Sequence, residues 1–278
     1  MLRSVLVGCL VVMLRGINVY YISYTDDFTF APDMTLHFDF TSIVLAIIIM
    51  TAGTALQSTV GFGLGLVAGP LLVLIDRAYL PGPMLFAALL LTSFMAFRER
   101  HAIDASGLKY SVMGRMLSTP VAAWIVGFVT ATTFDVVFSC MILAAVGMSL
   151  IHGRIQPSAR NIFLAAIASG FMSTIGAIGG PPLALVYQNT RGPELRANLS
   201  ALFAIGCLIS LVALALVGRF VLTDLVRGGI LITGVLIGLI VSRPLVRVLD
   251  QYTIRPYVLG VCTIAALVVL GRALIQLL

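Results

Sequence analysis

The sequence predicts an all-α integral membrane protein. About ten transmembrane segments are expected, as two five-segment inverted repeats with broken or re-entrant half-helices at two glycine motifs. Three observations lead to that class. Of the 278 residues, 60% are hydrophobic and only 10% charged, with a mean hydropathy of +1.11, where soluble domains carry about 25% charged residues. The apolar residues come in long unbroken runs, not in the alternation that marks a membrane β-barrel. Two of those runs are too short to cross a bilayer, and each is entered through a cluster of glycines.

Residues 1–39 read as an N-terminal extension. "MLRSVLVGCLVVML" has a basic start and an apolar run that Arg15 interrupts, too short to span. It is either signal-like or upstream of a start at Met34, where "MTLHFDFTSIVLAIIIM" also reads as a beginning. From residue 40, ten runs are separated by charge or by Gly and Pro. The run 40–58 ends at the glycines that open 64–75, which Asp76 and Arg77 close. Gly82 and Pro83 open 83–97, and Arg98 ends it. Lys109 precedes 110–129, while 134–151 stops before His152 and Arg154. Arg160 precedes 161–177, and paired prolines open 181–190, which Arg191 closes. The last three, 197–217, 225–241 and 254–277, follow Arg196, Asp224 and Asp250. At 1.5 Å per residue, 64–75 and 181–190 fall well short of a hydrocarbon core of about 30 Å, so they are half-helices.

Sliding the chain on itself exposes the repeat. At an offset of 115, "STVG" (Ser58 to Gly61) meets "STIG" (Ser173 to Gly176), and Gly65 meets Gly180. Just downstream, at an offset of 110, the "GP" of Gly82 and Pro83 meets that of Gly192 and Pro193. Farther on, "TPV" (Thr119 to Val121) meets "TGV" (Thr233 to Val235), a breaker in the fourth helix of each half. Residues 40–151 and 161–278 are therefore read as the two repeats. Five segments per half is odd, so the second half sits inverted. With residue 40 on one face, eleven basic residues, among them Arg98, Arg100, Lys109, Arg160, Arg196 and Arg243, fall on the other, against six. The richer face is cytoplasmic, so residue 40 and the C-terminus point outward. The two breaks then enter from opposite sides, the plan of inverted-repeat secondary transporters.

The second break reads "STIGAIGGPPLALVYQN". Pro181 and Pro182 suit a first helical turn, and Gly176, Gly179 and Gly180 permit unusual backbone angles. Gly61, Gly63 and Gly65 do the same in the first half. Such backbone cannot face lipid, where each unpaired group costs several kcal/mol, so it lines an enclosed site. A helix start carries free N–H donors and partial positive charge, a seat for an anion. Ser58, Thr59, Ser173 and Thr174 add hydroxyls, and Gln57, Tyr187 and Gln188 add neutral polar groups. The competing reading is close helix packing by small residues.

"GFGLGLVAGPLLVLI" and "GAIGGPPLALVYQ", in that order, resemble the two signature segments of the sulfite exporter TauE/SafE family, over about residues 40 to 278. Leu64 stands where that family often has a third glycine. The resemblance implies a cytoplasmic-membrane carrier for sulfite, thiosulfate or an organosulfonate. Its partners would be that small anion and the lipid bilayer, with no nucleic acid, no metal and no other cofactor. Homodimers are common among such carriers, although no segment stands out as a seam. An importer of thiosulfate or another organic anion, or a non-transporting scaffold, is the alternative.

The remaining residues bear on mechanism. No HExxH, GxSxG or paired intramembrane carboxylates appear, so an enzyme is not expected. The eleven acids lie in loops or near helix ends, away from where proton relays sit. Cys9, Cys140, Cys207 and Cys262 lie far apart and read as packing residues. Arg115, near the start of the fourth helix, reads as a snorkelling interfacial arginine, with an anion gate as the alternative. In a cell with a negative interior, export of a monovalent anion gains about 2.3 kcal/mol per 100 mV, so no coupling ion is required.

Overall fold

Asp39 caps the first described helix. Its carboxylate accepts from the backbone N–H groups of Thr41 and Ser42, at 3.4 and 3.3 Å, and so satisfies two donors that a helix start leaves free. The computed structural model describes residues 39–104, 106–150, 155–190, 192–248 and 251–277. The extension expected at 1–39, apart from Asp39, lies outside them, as do Cys9, His152, Arg154 and Arg191. Ten α-helices occur among the described residues, and each coincides with one apolar run. They are α1 Phe40–Val60, α2 Leu64–Ile75, α3 Gly82–Arg98, α4 Leu108–Phe128 and α5 Ala131–Leu150. After these come α6 Ala159–Gly176, α7 Gly180–Tyr187, α8 Gly192–Leu216, α9 Leu222–Val248 and α10 Gln251–Leu277.

Five of the ten are long and apolar enough to cross a membrane: α1, α5, α8, and the stretches Leu222–Ser242 of α9 and Val258–Gln276 of α10. The half-helices α2 and α7, of 12 and 8 residues, reach only about 18 and 12 Å. Large apolar side chains face outward, with Phe97, Trp124, Phe128, Leu216 and Leu222 each more than half exposed. Thr54, Gln57, Ser58, Arg115 and Thr119 are buried instead. That inversion of the usual order is what a lipid surround requires, since polar groups must find partners inside the protein.

The helices pack across the sequence. α1 lies against α9, α4 against α6, α3 against α8 and α9, α4 also against α8, and α10 against α5 and α2. Small residues set the closest seams. A Cβ on Gly234 of α9 would come within 2.7 Å of Ile47 O and Met50 Cβ on α1, and one on Gly114 within 2.6 Å of Phe163 O on α6. Both "TPV" and "TGV" were expected to hold breakers, yet α4 runs through Pro120 and α9 through Gly234. Gly234 acts as a packing residue, and helix interiors in a bundle tolerate proline where neighbours re-satisfy the freed backbone.

Candidate functional site

Residues in the left-handed region open both breaks, two in the first and one in the second. α1 stops at Gly61 (φ 97°), whose N–H returns to Gln57 O, and α2 restarts after Gly63 (φ 119°). α6 stops at Ala177, which holds φ 56° without being glycine, a conformation that costs a side chain energy. The two breaks touch. A Cβ on Gly65 would run into the carbonyl oxygen of Ala177 and lie 3.1 Å from Ile178 Cα, while Gly180 faces Phe62 at an ordinary 3.4 Å.

Both breaks line one cavity of about 40 Å³. A water needs roughly 10–15 Å³ of such space, so the cavity admits three or four waters or one small anion. α2 presents its start there. Val67 N–H closes the first helical bond to Gly63 O and Gln57 Oε1 accepts from Leu64 N–H at 3.1 Å, which leaves the N–H groups of Gly65 and Leu66 unpaired. α7 offers fewer donors, because Pro181 and Pro182 have none, and its start contributes the N–H groups of Gly179 and Gly180.

The side chain that decides the electrostatics comes from α4. Arg115 lines the cavity and is 1% exposed, so the snorkelling expectation is corrected: its guanidinium does not reach an interface. Nη2 donates to Ser169 Oγ at 2.8 Å, and Ser169 in turn donates to Gly179 O at 2.5 Å, which ties the arginine to the second break. Nε and Nη1 have no partner. Two glycines make the slot: a Cβ on Gly206 would fall on the guanidinium, and one on Gly170 would meet Arg115 Cα at 3.3 Å. No ion pair engages Arg115 among the described residues, and no acid lines the cavity. An uncompensated buried cation costs several kcal/mol, and an anion in the cavity relieves that cost.

The expected site residues divide into two groups. Gln57, Gly63, Gly65, Ser173, Gly179, Gly180 and Pro181 line the cavity. Ser58, Thr59, Gly61, Thr174, Gly176, Pro182, Tyr187 and Gln188 lie outside its lining. Thr59 donates to Leu56 O in its own helix. Thr174 bonds Gly170 O and Ser210 Oγ, each at 2.8 Å. Gly176 packs on Phe138 and Gly61 on Arg196, while Tyr187 and Gln188 sit at the far end of α7. Thr92, Phe203 and Cys207 join the lining from α3 and α8. Cys207 is thus a cavity residue, where Cys262 packs and donates to Leu66 O. One signal in the sequence pointed to Arg115: Ser111, Arg115, Ser118 and Thr119 recur at helical spacing, and all four are buried.

The sequence model of the family described as Sulfite exporter TauE/SafE matches residues 45–269, from inside α1 to inside α10. The chain belongs to that family. No curated protein and no solved structure matches it. A TauE/SafE protein is a membrane transporter and not an enzyme.

Proposed function

We propose that this TauE/SafE protein is a secondary transporter that exports sulfite or an organosulfonate across the cytoplasmic membrane. The anion sits between the starts of α2 and α7, within reach of Arg115. One observation carries the reading: a buried guanidinium with two unpartnered donors lines the same small, acid-free cavity as both half-helix starts. Charge-assisted hydrogen bonds to such a group contribute about 1.5–3 kcal/mol each, and the helix starts add to the positive field.

The helix pairings support an inverted repeat of 40–151 and 161–278. Exchanging α1–α5 for α6–α10 turns the α1–α9 pairing into α6–α4, α2–α10 into α7–α5 and α3–α9 into α8–α4, while α3–α8 and α5–α10 map onto themselves. Both edges of the breaks align at one residue more than the offset that superposes "STVG" on "STIG". Gln57 then corresponds to Ser173 and Gly63 to Gly179, and all four line the cavity. The bias of basic residues supports a cytoplasmic face at the end of α3 and the start of α8.

Sulfite should raise the melting temperature of the purified protein. Arg115→Gln should abolish that rise and cut sulfite flux in proteoliposomes by about a hundredfold or more, as loss of one partner of a buried charge contact does. Wild-type melting indifferent to sulfite, or full flux in a folded Arg115→Gln variant, overturns the reading.

A further inference from the structure

The cavity has a seam leading out of it. On α3 its lining residues are Leu85, Ala88 and Thr92, and on α8 they are Phe203 and Cys207. Those two helices pack directly on one another. Glu99 caps α3 seven residues beyond Thr92, and Arg196 lies on α8 seven residues before Phe203. Seven residues are nearly two turns, about 10 Å along the axis. Each charged residue therefore continues the stripe of its helix that faces the cavity, at the same end of the seam. They meet there, with Arg196 Nε on Glu99 Oε1 at 3.1 Å.

Three details set this pair apart from a surface contact. Arg196 lies against the first break, since a Cβ on Gly61 would be 3.2 Å from its Cα. Glu99 is held by Arg98 as well, at 3.0 Å, yet its Oε2 is buried without a partner. The opposite end of the seam is closed by different chemistry: Phe220 covers Gly82 and lies 6.4 Å from Phe86, centroid to centroid. The end with Arg196 is the one where a guanidinium meets a carboxylate across the α3–α8 packing.

We infer that Arg196 is a second anion-handling residue, at one mouth of the cavity, and that Glu99 is the resident carboxylate an arriving anion displaces. This rests on the cavity being the anion site. A guanidinium presents the same planar donor fork to a carboxylate and to an oxyanion, so Glu99 holds in the empty carrier the place the substrate takes on entry. Displacement opens the α3–α8 seam, and the anion then passes Phe203 to reach Arg115.

The test uses purified full-length protein in proteoliposomes, with sulfite exchange measured against sulfite concentration and sulfite-induced melting shifts recorded alongside. Arg196→Gln should raise KM about tenfold, the loss of one charge-assisted contact, and keep the melting shift, because Arg115 still holds the anion. Glu99→Gln should lower KM, since the competing carboxylate is gone. Arg196→Lys, which keeps the charge but loses the planar donor fork, should raise KM by a smaller factor and serves in place of Arg196→Gln if that variant fails to fold. Opposite displacements of KM are the signature of competition, and a purely structural ion pair does not produce them. KM unchanged in both variants, or moved the same way by both, overturns the inference. A wild-type protein without any sulfite shift fails the cavity reading itself, whereas a normal shift with unmoved KM values fails only the mouth.

Discussion

A guanidinium with two unpaired donors in a buried site costs the fold stability, and on the proposed reading a bound anion offsets that cost. Arg115→Met removes the charge while keeping the volume, so the ligand-free variant should be more stable than ligand-free wild type, by about 1–4 kcal/mol. It should not respond to sulfite, and thermal melting in detergent measures both effects. Gly206→Ala probes the same residue from the neighbouring helix. The new methyl falls on the guanidinium, the mobile end of a long side chain, so Arg115 swings aside and the fold survives. Sulfite affinity should then fall while the melting temperature without ligand stays near wild type. At this scale the sequence was legible in part. Gly63, Ser173 and Gly180 were visible because the motifs contain them, and Gln57 because it adjoins one, but each motif is a contiguous block. A helix turns about 100° per residue, which sends Thr59 and Thr174 to other partners and leaves Ser58 outside the cavity lining, its hydroxyl buried without a partner. Arg115 was misplaced because a lone arginine near a predicted helix start is commonly interfacial. Its burial depends on Gly170 and Gly206, from two other helices.

Among the elements, the half-helices carry the proposed site, and their glycines do not do equal work. A methyl at Gly65 meets the backbone of Ala177 and Ile178, neither of which has a flexible end to yield. A methyl at Gly180 finds Phe62 at ordinary contact distance. Gly65→Ala should therefore force the two breaks apart, with loss of sulfite flux and a lowered melting temperature, while Gly180→Ala should keep both; the two variants run side by side in one flux assay check the ordering. The turn after α3 is locked in a different way. Asp104 N–H donates to Asn198 Oδ1 at 2.7 Å, and its carboxylate accepts from the N–H and hydroxyl of Ser106. Those bonds hold its pKa below the usual 3.8, so their contribution is in place at neutral pH and is lost only as pH falls below that range. Helix positions followed from charge and Gly/Pro punctuation, because those residues do end apolar runs in lipid. Pro120 and Gly234 misled because the same residue types also serve continuous helices, and only the packing partner distinguishes the two uses.

For the whole molecule the question is what drives transport. Among the described residues, no Asp, Glu or His lines the cavity. The buried carboxylate of Asp135, on α5, is engaged at 2.5 Å by Arg77 and lies outside the cavity lining. On the proposed reading, a site with one positive side chain and a bound anion, and no carboxylate or imidazole beside it, should respond to the membrane potential and not to a pH gradient. For a monovalent anion, 100 mV corresponds to about 2.3 kcal/mol, an equilibrium concentration ratio of about fifty. Proteoliposomes clamped at that potential, negative inside, should therefore expel sulfite monoanion until the outside-to-inside ratio approaches that value, and reversing the potential should reverse the ratio. A pH gradient at zero potential should not produce accumulation beyond what the proton equilibrium of sulfite itself imposes. Accumulation that follows the imposed pH gradient and ignores the potential would assign the work to a coupled proton. The outcome does not depend on how the molecules insert, because an equilibrium ratio is fixed by the driving force and not by the side from which the carrier is loaded.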